Sequence, residues 1–325
     1  MHPAISVIFL TTLIGAGQGL YLALYTGQFY SAFNVLPGQD PARFYALGSV
    51  IALLLLVAGL ASSFLHLGRP ERAWRSAAMW RTSWLSREVI VLPACMAAVA
   101  AWGLIHYSGW NPLLFTLSDT FDIDLSMLVG AVGTLLCFAL FLCTGMIYAC
   151  IKMLQEWATP LTVINYIMFG GASGFMLATA FAAWQGSGLV DFYGGWAIVM
   201  TAIAFVTRSA SLVRNARLKH KSTLQSAIGI RHARIEQKAQ GAMAGSFNTR
   251  EYFHGASPRK YRSVKWVFLV LVFPLPLLLL SAGLAVQSFG LLLTAFVVQY
   301  VGLLAERWFF FAQANHPQNL YYQTV

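Results

Sequence analysis

The sequence predicts an all-α, polytopic membrane protein that forms a single integral membrane domain over residues 1–325. The chain is 58% hydrophobic and only 10% charged, whereas soluble domains have roughly 25% charged residues. A helix that crosses the hydrocarbon needs roughly 20 apolar residues, and its backbone polar groups must be paired within the helix itself. Eight runs meet these conditions and are predicted to be transmembrane helices: 4–25, 44–65, 88–108, 126–150, 159–184, 190–209, 264–286 and 288–311.

Small residues indicate how the first and fifth of these helices pack. The first helix has no basic n-region and is longer than the apolar core of a signal peptide, so we expect it to stay in the bundle. Gly15 and Gly19 in this helix, and Gly170 and Gly174 in the fifth, have the small-x-x-x-small spacing that lets helix backbones approach closely. We therefore expect tight helix contacts at both pairs.

Other residues within the spans are secondary candidates for lining a cavity. Gln18 and Tyr21 in the first helix either bond to a neighbouring helix or face a cavity. Pro274 and Pro276 remove backbone hydrogen bonds and predict a bend in the seventh helix. Glu306, near the end of the last helix, is a rare charge close to hydrocarbon. Gln18, Tyr21 and Glu306 are therefore kept as additional candidates for a ligand site inside the bundle.

The basic residues predict the orientation of the bundle. All of the 21 Lys and Arg residues except Arg43 fall on the side that eight helices give to both termini, and cytoplasmic loops collect Lys and Arg. We therefore expect both termini and the long basic loop between helices 6 and 7 in the cytoplasm. This distribution explains the net charge of +10 without a nucleic-acid partner.

The basic loop at 210–263 is predicted to be a platform for a soluble partner. Aromatic residues mixed with arginine are typical of interface cores, and this loop contains Phe247, Arg250, Tyr252 and Phe253. The alternative is a polybasic segment that lies on anionic lipid headgroups. We favour docking, because this mixture of aromatic residues and arginine is typical of an interface core.

A histidine and a glutamate flank the loop between helices 2 and 3. Ionisable groups near hydrocarbon are costly and usually mark a pathway or a ligand. His66 can bond a quinone carbonyl and exchange a proton near neutral pH, and Glu88 can pass that proton to water. Arg72 and Trp74 lie between them. The alternatives are that Glu88 only complements the helix dipole and that the tryptophans form an interfacial belt.

The histidines and cysteines predict that this chain holds neither haem nor another metal. A haem between helices needs histidines within the spans, and every histidine here lies in a loop or at a helix end. A shallow site that uses His2, His66 or His316 is the remaining route to haem. The cysteines show no C-x-x-C spacing, so no iron–sulfur or zinc site is indicated.

The motifs around this loop resemble a known family. HLGRP at 66–70, RAW at 72–74 and the serines and glutamate at 83–88 resemble the signature of the membrane anchor subunits of dimethyl sulfoxide reductase-type molybdoenzymes. The resemblance extends over nearly the whole chain. Within the family it is closest to the anchor of the cytoplasmic quinone-linked sulfite dehydrogenase, in MHPA at 1–4, LQSAIG at 224–229 and SFNTRE at 246–251.

The resemblance implies an electron-transfer role. Such anchors hold an iron–sulfur subunit that contacts a molybdopterin catalytic subunit, and they exchange electrons with ubiquinone or menaquinone. The family's quinol-site residues match His66 and Glu88. A cytoplasmic platform favours sulfite oxidation over the alternative, a quinol-oxidising anchor of a sulfoxide or polysulfide-type reductase. A transporter is the competing class, but neither an internal repeat nor a mid-span charge is found in the sequence.

Overall fold

The computed structural model describes residues 1–118, 121–219, 223–236 and 252–317. It confirms the predicted all-α membrane class, because eight helices in this part of the chain are long and apolar enough to span a bilayer. Each predicted span overlaps one of them. The helices are α1 Ile5–Ala32, α2 Pro41–Phe64, α3 Trp84–Ser108, α4 Leu125–Ala149, α5 Pro160–Trp184, α6 Val190–Ala216, α7 Pro258–Ala285 and α8 Phe289–Gln313.

The α1–α5 contact is as close as the glycine spacing predicted. A Cβ atom added to Gly19 would lie 1.9 Å from the carbonyl oxygen of Gly170, and one added to Gly174 would lie 2.0 Å from the carbonyl carbon of Gly19. Any side chain at these positions would force the two backbones apart. The small residues therefore serve helix packing at the centre of the bundle.

Polar side chains of α1 attach this helix to the backbone of α4. The Gln18 amide donates to the carbonyl of Cys137 at 2.9 Å, and the Tyr21 hydroxyl donates to the carbonyl of Gly130 at 3.2 Å. Both side chains are buried. Gln18 and Tyr21 therefore bond across helices, which was one of the two interpretations that the sequence left open.

Helix α7 is broken as its prolines predicted. It consists of Pro258–Val272 and Pro274–Ala285, and the two segments meet at Phe273. Since Pro276 has no N–H, the carbonyl of Val272 lacks its normal helical donor. The Gln299 amide of α8 donates to that carbonyl at 3.3 Å. The bend is thus stabilised by a neighbouring helix, as backbone groups in a membrane require.

The connections contain structure that hydropathy does not predict. Residues 113–124 form an antiparallel hairpin of β1 Leu113–Ser118 and β2 Phe121–Asp124, at the end of the bundle opposite His66. In the described part of the loop between α6 and α7, Leu224–Ile228 forms a short helix. Gly229 ends this helix in the left-handed conformation, with φ of +73°.

Candidate functional site

The loop between α2 and α3 is held against the start of α3. It contains the 3₁₀-helix Pro70–Met79. The Arg87 guanidinium donates to the carbonyls of Trp80 at 2.9 Å and Arg81 at 2.8 Å, and it stacks on the Trp84 ring at 4.2 Å. Carbonyls near the end of a helical turn lack intrahelical donors, so Arg87 satisfies groups that would otherwise need water. This arrangement fixes the loop over one end of the bundle.

A cavity of about 530 Å³ lies beneath this loop, between the ends of α2 and α3. Its volume and mostly apolar wall are typical of small-molecule sites. The structure brings four of the predicted site residues together in its lining: His66, Arg72, Trp74 and Glu88. Apolar residues complete most of the wall, including Leu10, Leu60, Phe64, Leu67, Leu85, Val89 and Leu92.

Glu88 lies one turn inside α3 rather than at its start. Ser83 caps the helix, because its side chain accepts a hydrogen bond from the backbone of Ser86 at 3.3 Å. Glu88 therefore lies beyond the first turn of α3, where a charge complements the helix dipole only weakly. The Glu88 side chain is buried, and its Oε1 atom accepts a hydrogen bond from the Thr144 hydroxyl of α4. This bond orients a carboxyl group that also lines the cavity.

His66 differs from Glu88 in being exposed at the cavity rim. It follows the end of α2 by two residues, and its backbone N–H donates to the carbonyl of Ser63 at 3.4 Å. Within the described ranges, no hydrogen bond occupies its imidazole ring. The ring nitrogens are thus available to a ligand. Trp74, another lining residue, is 71% exposed, and the Arg75 guanidinium stacks on it at 5.5 Å.

Glu306 belongs to a different part of the bundle and does not line this cavity. Its carboxylate forms ion pairs with Arg208 at 2.8 Å and Arg307 at 3.4 Å, and the Arg307 guanidinium stacks on Tyr166 at 3.9 Å. We call Arg208, Glu306 and Arg307 the buried ion cluster. The space beside it is about 10 Å³, which is room for about one water. Like Gln18 and Tyr21, Glu306 is thus engaged in helix contacts.

The predicted docking residues fall partly within the described chain. Tyr252 and Phe253 are half-buried, and the Tyr252 ring stacks on His316 at 3.7 Å while Phe253 stacks on His254 at 4.7 Å. Burial lowers the pKa of both imidazoles. The contact between Tyr252 and His316 joins the end of the long loop to the chain that follows α8. Phe247 and Arg250 lie outside the described residues.

Sequence reasoning missed Thr144, which lies 56 residues from its partner Glu88. A threonine within an apolar helix gives no signal of its own, because such side chains usually bond to their own helix.

Possible metal ligands are scattered rather than clustered. The described segments contain no group of three or more His, Cys, Asp or Glu side chains that could hold a metal ion.

Two comparisons with known proteins extend over the chain. The sequence model of the DMSO reductase anchor subunit (DmsC) family matches residues 1–322. A sulfite dehydrogenase subunit from Allochromatium vinosum is 60% identical over 325 residues, and the aligned region covers 100% of both chains. Both matches include the loop between α2 and α3 and the helices that form the cavity.

Proposed function

The chain belongs to the DMSO reductase anchor subunit family, and on that premise we propose that it is the quinone-reactive anchor of a sulfite-oxidising complex. Family membership makes it a multi-pass membrane anchor in an oxidoreductase complex. The finer role rests on one observation, that His66 and Glu88 line the same largely apolar cavity at one end of the bundle. In this role the chain passes electrons between an iron–sulfur subunit and membrane quinone.

The cavity fits a lipid-soluble ring. Its volume of about 530 Å³ lies within the range of roughly 300–1,000 Å³ for ligand sites. Two of its lining residues, Phe64 and Leu85, are also exposed on the outer surface of the bundle, where a ligand dissolved in lipid would enter. Its polar lining residues include His66, Arg72 and Glu88, which belong to the loop between α2 and α3 or to the first turns of α3, where a quinone headgroup would have its oxygens.

The two ionisable side chains have distinct tasks in this proposal. A bound quinone or quinol supplies two-electron chemistry that is coupled to the uptake or release of two protons. The His66 imidazole donates to or accepts from one headgroup oxygen, which its exposed position at the rim allows. Glu88 exchanges the second proton as a general acid or base. The Thr144 hydroxyl holds Oε1 of Glu88 and so orients the carboxyl group towards the cavity.

The soluble partners are proposed to dock on the same end of the bundle. The family role implies catalytic and iron–sulfur subunits, and the relative's name points to sulfite as the substrate of the catalytic one. Electrons can reach the cavity only if the last cluster of the iron–sulfur subunit lies near the loop between α2 and α3. The loop at 210–263, with Tyr252 and Phe253 at its end, provides the second contact on a cytoplasmic face of a bacterial inner membrane.

Purification of the tagged chain from its native membrane tests this proposal. We expect two larger subunits to co-purify, one with molybdopterin and one with iron–sulfur clusters, and the complex to reduce a membrane quinone with sulfite. We also expect no b-type haem absorption in a reduced-minus-oxidised spectrum. If the complex instead oxidises quinol with a sulfoxide or polysulfide, the reductase alternative is correct and the sulfite assignment is wrong. If the chain purifies alone, the transporter class is favoured.

A further inference from the structure

A second cavity of about 640 Å³ lies between α2 and α3, at the end of the bundle opposite His66. It shares no lining residue with the His66 cavity. Leu47, Val50 and Leu53 of α2 face Ala100 and Leu104 of α3 across it. The walls are thus almost wholly apolar, and Val50 and Leu104 are also exposed on the lipid-facing surface of the bundle.

The floor of this groove is a close helix contact. A Cβ atom added to Gly103 would lie 1.9 Å from the Ser49 hydroxyl oxygen, and Ser49 satisfies its own hydroxyl by donating to the carbonyl of Ala46 at 2.7 Å. The helices therefore touch on the inner side and leave the groove open towards lipid. A polar ligand group has no partner at the floor.

Polar and charged side chains are confined to the mouth. Arg43, Tyr107 and Gln185 come from three separate elements and meet there. The backbone N–H of Arg43 donates to Asp40 at 3.0 Å, which fixes the chain at this point. Among the described residues, no carboxylate lies within ion-pair distance of the Arg43 guanidinium. Within the part of the chain that the structure describes, the mouth thus offers a cation without a counter-ion.

The depth of the groove matches one leaflet of a bilayer. Arg43 and Leu53 are ten residues apart, which corresponds to about 15 Å along the helix axis. The hydrocarbon core is about 30 Å thick, so one leaflet contributes about 15 Å. A molecule with its charge at Arg43 would have its chain end near Leu53, at the mid-plane of the membrane.

We propose that this groove binds one acyl chain of a glycerophospholipid from the leaflet opposite the His66 cavity, with the lipid phosphate held by Arg43. Arginine matches phosphate geometry and charge, and the aromatic ring of Tyr107 lies at the headgroup level, where such rings are favoured. A quinone tail fits the apolar walls but has no group that needs Arg43. Lipid binding at this groove does not depend on the proposed quinone role.

Photolabelling of the purified complex in lipid nanodiscs tests the proposal. The probe is phosphatidylglycerol with a diazirine on one acyl chain, and labelled peptides are mapped by mass spectrometry. We expect adducts concentrated in residues 42–53 and 100–107. The Arg43→Gln substitution should reduce them about tenfold, whereas Arg43→Lys should retain most of them. Ala100→Phe, which fills the groove, should remove them.

The matched control is Ala202→Phe, which adds the same ring on an exposed position of α6 and should leave labelling unchanged. Co-purification of the partner subunits shows that each variant is folded. Labelling that is spread evenly over all lipid-facing helices, or that ignores Arg43→Gln, would overturn the proposal. So would preferential labelling of the same peptides by a diazirine-tailed quinone, since the groove would then belong to the quinone tail.

Discussion

The His66 cavity and the buried ion cluster lie at the same end of the bundle and differ in what surrounds their charges. Glu88 has one hydroxyl donor and faces a space of about 530 Å³. Glu306 is held between two guanidinium groups, beside a space of about 10 Å³. A charge near hydrocarbon therefore indicates a functional site only where it borders an open cavity. A charge that is fully ion-paired can equally serve to hold helices together.

The strongest test of this contrast is to break the buried ion cluster. Glu306→Gln leaves Arg208 and Arg307 without their counter-charge, and removal of one partner from a buried pair costs about 3–5 kcal/mol. We expect a marked loss of thermal stability in detergent, measured by tryptophan fluorescence. Glu71→Gln, which breaks only the exposed pair with Arg72 at 3.9 Å, should change stability by less than about 1 kcal/mol. A Glu306→Gln variant that is fully stable but lacks quinone activity would show that Glu306 has a functional role rather than a structural one.

A smaller effect is expected from filling the cavity. Leu60→Trp adds a large ring to the wall of the His66 cavity and should raise the KM for a quinone analogue about tenfold, because it takes up volume that the headgroup needs. Assembly should be retained. The matched control is Leu54→Trp on the lipid-facing side of the same helix, where Leu54 is exposed. Equal effects of the two substitutions would show that the cavity is not the quinone site.

Removal of the Thr144 hydroxyl should have a more modest effect. Thr144→Val deletes the hydrogen bond to Glu88, a loss of about 1 kcal/mol that corresponds to several-fold in rate. We expect slower quinone-linked turnover and a displaced pH profile, since the Glu88 carboxyl loses its donor. Thr134→Val on the same helix is the control, because the buried hydroxyl of Thr134 has no partner within the described residues. An unchanged pH profile in Thr144→Val would argue against Glu88 as the proton-exchanging group.

The smallest expected effect concerns His254 and His316, which stack on aromatic rings at the end of the 210–263 loop. Burial lowers the pKa of His254 and His316, so their packed form favours neutral rings. As pH falls below their usual value of about 6.5, protonation favours the unpacked form and the contact weakens. Proteolysis of the 210–263 loop should therefore be faster at about pH 5.5 than at about pH 7.5. A His254→Phe, His316→Phe variant should lose this pH dependence, and an unchanged dependence would contradict the assignment.

Hydropathy predicted all eight helices, because a spanning helix must be apolar along most of its length. It placed the start of α3 at Glu88, whereas the helix begins at Trp84, since the capping serine and Arg87 are polar and fall outside an apolar window. The sequence brought His66 and Glu88 into one hypothesis because both are ionisable groups at helix ends beside the same loop, and the motif resemblance then matched the same pair. The sequence did not distinguish this pair from Glu306. The cavity volume beside a carboxyl group and the partners of that group depend on contacts between distant segments, such as the bond from Thr144 to Glu88.

The central claim is that His66 and Glu88 serve quinone chemistry while the partner subunits oxidise the substrate. The most direct measurement is the ratio of sulfite oxidation with a membrane quinone to sulfite oxidation with an artificial soluble acceptor. His66→Ala and Glu88→Gln should lower this ratio at least about tenfold, with the soluble-acceptor rate near normal. His232→Ala, at an exposed position outside the cavity, should leave it unchanged. An unaltered ratio in both cavity variants would contradict the claim.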